Sequence, residues 1–147
     1  MKNLFIAFFA AFALVACSDD DNSPSGNLIS VEFDGQEVNF RNIQLEQVSY
    51  PAQGENPAYT EITVVATANG NVFSFFVIKG ETGQDAVYDF SYATGNALYN
   101  GVDMQSNLVS NGDEQHLVGT FSGTMTNFAE TASATIQITD GSFDIKY

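Results

Sequence analysis

From residue 28 onward, apolar and polar residues alternate in short runs with a period of two, the spacing of a strand with one buried face. Asn-Gly and Asp-Gly pairs punctuate these runs at Asp34-Gly35, Asn69-Gly70, Asn100-Gly101, Asn111-Gly112 and Asp140-Gly141. Such pairs favour two-residue turns between antiparallel strands, because both central positions take positive φ cheaply. Three of the turns can be checked for register. Around Asp34-Gly35, Ile29 opposes Phe40 and Val31 opposes Val38, with Glu32 and Glu37 on the other face. Around Asn69-Gly70, Ile62 opposes Val77, Val64 opposes Phe75 and Ala66 opposes Phe73. Around Asp140-Gly141, Ile138 is expected opposite Phe143 and Ile136 opposite Ile145, leaving Gln137, Asp144, Thr135 and Lys146 outside. A one-residue slip would invert every face.

Other runs are less regular. Ile43 and Leu45 share one phase and Val48 and Tyr50 the other, which predicts a β-bulge near Glu46-Gln47. Tyr88, Phe90 and Tyr92 alternate on one face; so do Leu117, Phe121 and Met125, with Gly119 and Gly123 between them making room for a large neighbour or a bend. Short pieces and polar loops are expected between Ala93 and Glu114, and no helical periodicity follows residue 26. The prediction is an all-β domain: an antiparallel β-sandwich or flattened barrel of about nine or ten strands.

The first 26 residues follow a different pattern. Lys2 is the only charge before Asp19, and Leu4 to Ala16 is an unbroken stretch of apolar residues. Thirteen helical residues span about 20 Å, short of the ~30 Å hydrocarbon core. A positive start, a short apolar stretch and small residues at its end are the layout of a signal peptide. Leu14-Val15-Ala16-Cys17 resembles the lipobox of bacterial lipoproteins. The resemblance implies cleavage after Ala16, a diacylglycerol thioether on Cys17 and an acyl chain such as palmitate on its amino group. Several acyl chains hold a protein stably at a membrane where one does not. Residues 17–26 carry no apolar residue beyond Cys17 and read as a flexible acidic tether. The start Cys17-Ser18-Asp19-Asp20-Asp21 resembles the surface-export signal of Bacteroidota lipoproteins, which implies an outer-membrane protein facing outward; the periplasmic face is the alternative. The division expected is 1–16 signal peptide, 17–26 tether and 27–147 one all-β domain. His116 to Thr124, followed by Ala134 to Phe143, also resembles an ending shared by small Bacteroidota lipoproteins of unknown function, with a "GTF" strand and an "ItdGsF" hairpin. That resemblance implies an extracytoplasmic all-β domain and no functional residue.

Composition narrows the chemistry. Removal of residues 1–16 leaves 131 residues, one domain's worth. Lys2 departs with the leader, so Arg41, Lys79 and Lys146 face 18 acidic residues, a balance of −15. This charge repels nucleic acid and anionic lipid, which excludes nucleic acid as a partner. Cys17 is the only cysteine, so a disulfide within the chain is excluded. No catalytic constellation stands out. His116 is the only histidine and follows a polar loop, where an exposed surface residue is the better reading than a base or ligand. Glu32 and Glu37 are expected as a solvated pair with no cleft. Asp103, Asn111, Asp113 and Glu114 offer oxygen ligands to calcium but lack an Asp-x-Asp-x-Asp-Gly spacing. Tyr88, Phe90, Tyr92 and Tyr99 could stack a sugar, although an alternating aromatic run more often belongs to a core. The expectation is a monomeric, membrane-anchored, non-enzymatic binding or adhesion-type module without metal or cofactor, its ligand (protein, glycan or small apolar molecule) unidentified. A lipocalin-like carrier of a small apolar ligand inside a barrel is the alternative.

Overall fold

A computed structural model describes residues 26–112, 114–129 and 134–147. Ten strands run in chain order: β1 (Leu28–Phe33), β2 (Gln36–Phe40), β3 (Asn42–Tyr50), β4 (Tyr59–Ala68), β5 (Asn71–Ile78), β6 (Gly83–Gln84), β7 (Val87–Thr94), β8 (Ala97–Asn111), β9 (His116–Asn127) and β10 (Ala134–Lys146). They form a single antiparallel sheet in the order β2-β1-β10-β9-β8-β7-β5-β4-β3, with β6 paired to β8. The all-β expectation is met: the sheet is curled into a half-barrel, consistent with a flattened barrel or a sandwich. Its two end strands, β2 and β3, are successive stretches of chain separated only by Arg41. One bent segment, residues 36–50, therefore pairs with β1 at its start and with β4 at its end. Across the curl the inner faces meet, the rings of Phe40 and Phe73 lying 5.8 Å apart.

Two hairpins have the registers read from the sequence. Ile29 pairs with Phe40 and Val31 with Val38; Ile62, Val64 and Ala66 pair with Val77, Phe75 and Phe73. Their turns carry positive φ at both central residues, 47° and 80° at Asp34-Gly35 and 51° and 80° at Asn69-Gly70, as a type I′ turn requires.

The third expected hairpin does not exist. Residues 134–146 form one continuous strand, paired along its length with β9 and near its C-terminal end with β1. A bulge between Ile138 and Gly141 takes the place of the turn, and Gly141 has no positive φ. Glycine is needed there for another reason: a Cβ at Gly141 would come within 2.4 Å of the Phe121 ring. Hairpin and bulged strand place Ile138, Phe143 and Ile145 on the same face, since the bulge's extra residue restores the phase. All three are buried, so the face was read correctly from the wrong connection.

Three further expectations are corrected. β3 pairs with β4 in unbroken register from Asn42 to Tyr50, without a bulge at Glu46-Gln47. Val48 and Tyr50 change phase because they belong to the outer face and are over a third exposed. Residues 97–111, read as fragments and loops, form the longest strand, whose period is scrambled by bulges at Gly101/Asp103 and Leu108/Ser110. Asn100-Gly101 accordingly lies inside a strand, and the preceding turn is at Gly95, φ 56°. Tyr88 does not share a face with Phe90 and Tyr92: Asp89 takes φ 49°, and Tyr88 turns outward beyond it.

The core is aromatic. Phe73 and Phe75 are fully buried, and their rings lie 5.4–6.5 Å from those of Phe90 and Phe121. Phe143 sits 4.9 Å from Phe75, and Phe33 stacks on Tyr92 at 4.1 Å. Each such side chain removes apolar area worth about 1.5–3 kcal/mol. The room expected at Gly119 is there: a Cβ on it would lie 2.5 Å from the Phe143 ring.

Candidate functional site

The bulges that lengthen β8 and β10 also bend these strands, and on the outer face the sheet is hollowed into a trough of about 870 Å³. A row of paired positions crosses it. Ser30 pairs with Ser142, Ser142 with Thr120, Thr120 with Asn107, and Asn107 with Gln84. All five side chains lie on the face opposite the core, and every one is a neutral hydroxyl or amide. At ~4.8 Å between strands, the row spans about 19 Å. A second row runs beside it: Glu37 pairs with Glu32 on β2 and β1, and Ser122 pairs with Gln105 on β9 and β8.

Carboxylates mark the margins. Glu32 and Glu37 stand at the β1–β2 side, Asp85 at the β6 side and Asp140 at the bulge. The first two are held in place. Thr139 Oγ1 donates to Glu32 Oε1 at 2.8 Å, while Glu37 Oε1 accepts from Asn39 Nδ2 at 2.8 Å and Ser30 Oγ at 3.3 Å. Across the middle, Thr120, Ser142, Gln105 and Asn107 are exposed, with donors and acceptors facing water. No Lys, Arg or His is among the described residues lining the trough.

Of the residues singled out from sequence, Cys17 and the export stretch Ser18, Asp19, Asp20 and Asp21 lie outside the described residues. Glu32 and Glu37 do face each other, but at the edge of this trough rather than on an open surface, which corrects the expectation of no cleft. His116 is half-buried and its Nε2 lies 2.6 Å from Asp144 Oδ1, joining β9 to β10. Asp144 is exposed, so the two form a surface pair between neighbouring strands.

The oxygen-rich stretch does not assemble. Asn111 is buried, and its Nδ2 donates to the carbonyls of Ile78 at 2.6 Å and Glu81 at 2.9 Å, which ties down the β5–β6 connection. Asp103 lies eight residues back along β8, Glu114 is exposed in a turn, and Asp113 is outside the described residues. Among the described residues no three His, Cys, Asp or Glu side chains are grouped to hold a metal ion.

The aromatic platform dissolves in the same way. Phe90 and Tyr92 belong to the core, with Tyr99 partly buried against it. Tyr88 alone turns outward and donates its hydroxyl to Glu81 Oε2 at 2.7 Å. This bond, with partial burial and the Glu81 charge, raises the Tyr88 pKa above its ordinary value. Burial raises that of Tyr147.

The trough was missed because its residues come from five distant stretches and none is unusual by itself. A faint signal was available: Ser30, Thr120 and Ser142 are uncharged hydroxyls at outward positions, in a chain otherwise dense with carboxylates. Comparison with known proteins adds nothing to this geometry: no protein family, curated protein or solved structure matches the chain.

Proposed function

We propose that this chain is a lipoprotein anchored to the outer membrane through Cys17 and displayed outward. Its barrel serves as a non-enzymatic binding module, and the trough takes the ligand. The trough is the observation that carries the reading: a concave, predominantly polar surface about 19 Å long, open to solvent. The barrel interior supports a binding module over a carrier of apolar ligands, because rings from six strands fill the space such a ligand would need.

The test is to fill the trough. Thr120→Trp places a large ring at its centre on an exposed strand position, where the fold tolerates it. The full mature chain is offered three probes: neutral oligosaccharides, oligouronates and oligolysine. Binding of any one that Thr120→Trp abolishes, with the probe recovered intact, supports the reading. Binding that survives the substitution, no binding of any probe, or conversion of the probe to product overturns it.

A further inference from the structure

We infer that the trough recognises a neutral polyhydroxylated chain, a glycan without acidic groups, laid across the strands along the Ser30–Ser142–Thr120–Asn107–Gln84 row. The inference rests on the trough being the ligand site and specifies what it takes.

Charge removes one class. Glu32, Glu37, Asp85 and Asp140 border the trough with no cationic side chain among its described lining residues. An oligouronate, a phosphate or a nucleic acid would meet only like charge there. A protein or peptide partner is disfavoured on other grounds. Interfaces of that kind draw most of their affinity from a few aromatic or Arg anchors seated in desolvated pockets, and this trough is lined mostly by hydroxyls, amides and carboxylates. Its only apolar lining residue of any size, Phe121, is buried beneath Gly141.

The neutral row between these carboxylates matches a ligand that offers hydroxyls at short, regular intervals and both gives and takes hydrogen bonds. The row suits it. Ser and Thr hydroxyls are donors and acceptors at once, and the Asn107 and Gln84 amides present a donor beside an acceptor. Successive strands repeat these groups every ~4.8 Å. The bordering carboxylates accept from sugar hydroxyls, and the bonds to Thr139, Ser30 and Asn39 fix the orientation of two of them in advance. Such preorganisation lowers the entropic cost of binding.

The test titrates the full mature chain, ¹⁵N-labelled, with neutral hexose oligomers, with uronate oligomers of equal length, and with oligolysine. The expected result has three parts. Only the neutral oligomers bind, moving the backbone amide signals of Thr120, Ser142 and Asn107. Their binding is insensitive to salt. Thr120→Val with Asn107→Ala weakens it about five- to tenfold, the loss that one or two neutral hydrogen bonds produce, and leaves the urea midpoint unchanged. If instead oligolysine binds in the trough, weakens in salt as screened charge does and is lost with Glu37→Gln, the neutral-glycan inference is overturned while the binding site stands. If uronates bind there, it is overturned likewise. If signals move only elsewhere, such as at the exposed Leu98 and Phe128, or no probe moves any, inference and binding site fall together.

Discussion

Replacing Gly119 by Ala sets two opposing effects against each other. Gly119 has no positive φ, so Ala suits the backbone, and the reduced freedom of the unfolded chain would by itself stabilise the protein by ~0.4–1 kcal/mol. The new methyl, however, would lie 2.5 Å from Phe143 Cζ and 2.8 Å from the carbonyl oxygen of Asn107. Carbon atoms pack at about 3.5–4.0 Å, so roughly 1 Å of overlap must be relieved. The ring cannot retreat freely, since Phe143 is buried and lies against Phe75 at 4.9 Å and Phe121 at 6.2 Å. The carbonyl belongs to the β8 backbone. Overpacking costs ~1–3 kcal/mol; with a buried ring and a backbone carbonyl both overlapped the upper half of that range, about 2–3 kcal/mol, applies, and the net loss is about 1–2.5 kcal/mol. Urea unfolding followed by circular dichroism should show the midpoint falling with the slope unchanged. Phe143→Leu removes the clashing ring atom, so the double variant should be more stable than the sum of the single losses by more than the ~0.3–0.5 kcal/mol within which independent sites add. A Gly119→Ala protein as stable as the parent, or strictly additive losses, would mean that Phe143 does not lie over Gly119. The pairing of β9 with the continuous β10 would then be wrong.

Phe75→Ala should cost about 3–5 kcal/mol, a large part of the ~5–15 kcal/mol a domain commonly has, as its ring is fully buried among four others; an unchanged urea midpoint would refute the packed interior. Glu37→Gln should shift stability by only a few tenths of a kcal/mol, upward, because Gln keeps an acceptor for Asn39 and Ser30 while relieving the charge opposite Glu32. Tyr88 has a pKa raised first by its bond to Glu81, then by burial and by the Glu81 charge. Its contribution is therefore present below the ordinary phenol pKa of ~10 and lost as pH rises through the higher folded value. The stability gap between the parent and Tyr88→Phe should close at alkaline pH, and a gap that stays constant would refute the linkage. Mass analysis of the mature amino terminus should find Cys17 first and acylated, with Cys17→Ala left unprocessed. Protease added to intact cells should remove the domain, and protection unaffected by changing Asp19, Asp20 and Asp21 to Ala would count against export.

Local pattern was informative wherever one strand met its neighbour through a tight turn. The β1–β2 and β4–β5 pairs were readable to the residue because a turn with two positive φ positions fixes register, and an apolar face confirms it. The same logic failed at Asp140-Gly141. A bulge and a two-residue turn restore phase alike, and only the partner strand distinguishes them. β8 was unreadable because its two bulges broke the period that marks a strand. The trough was further from reach still. It arises from bends in β8 and β10 and from a sheet order that brings Ser30 beside Ser142 across more than a hundred residues, and neither quantity is local.

The junction at Asn27 bears on how the molecule carries load. Its side chain is clamped to the last strand, Nδ2 donating to the Lys146 carbonyl at 2.9 Å and Oδ1 accepting from the Lys146 amide at 2.8 Å. A pull arriving through residue 26 meets this clamp first and then β1, which is hydrogen-bonded to β10 on one side and β2 on the other. Drawn along its axis, β1 loads both ladders at once, so that many hydrogen bonds must fail together rather than one after another. A ligand held along the row from Ser30 to Gln84 would pull on β1, β10, β9, β8 and β6. Tension between ligand and anchor would then gather into β1, a path from which β3, β4, β5 and β7 stand apart.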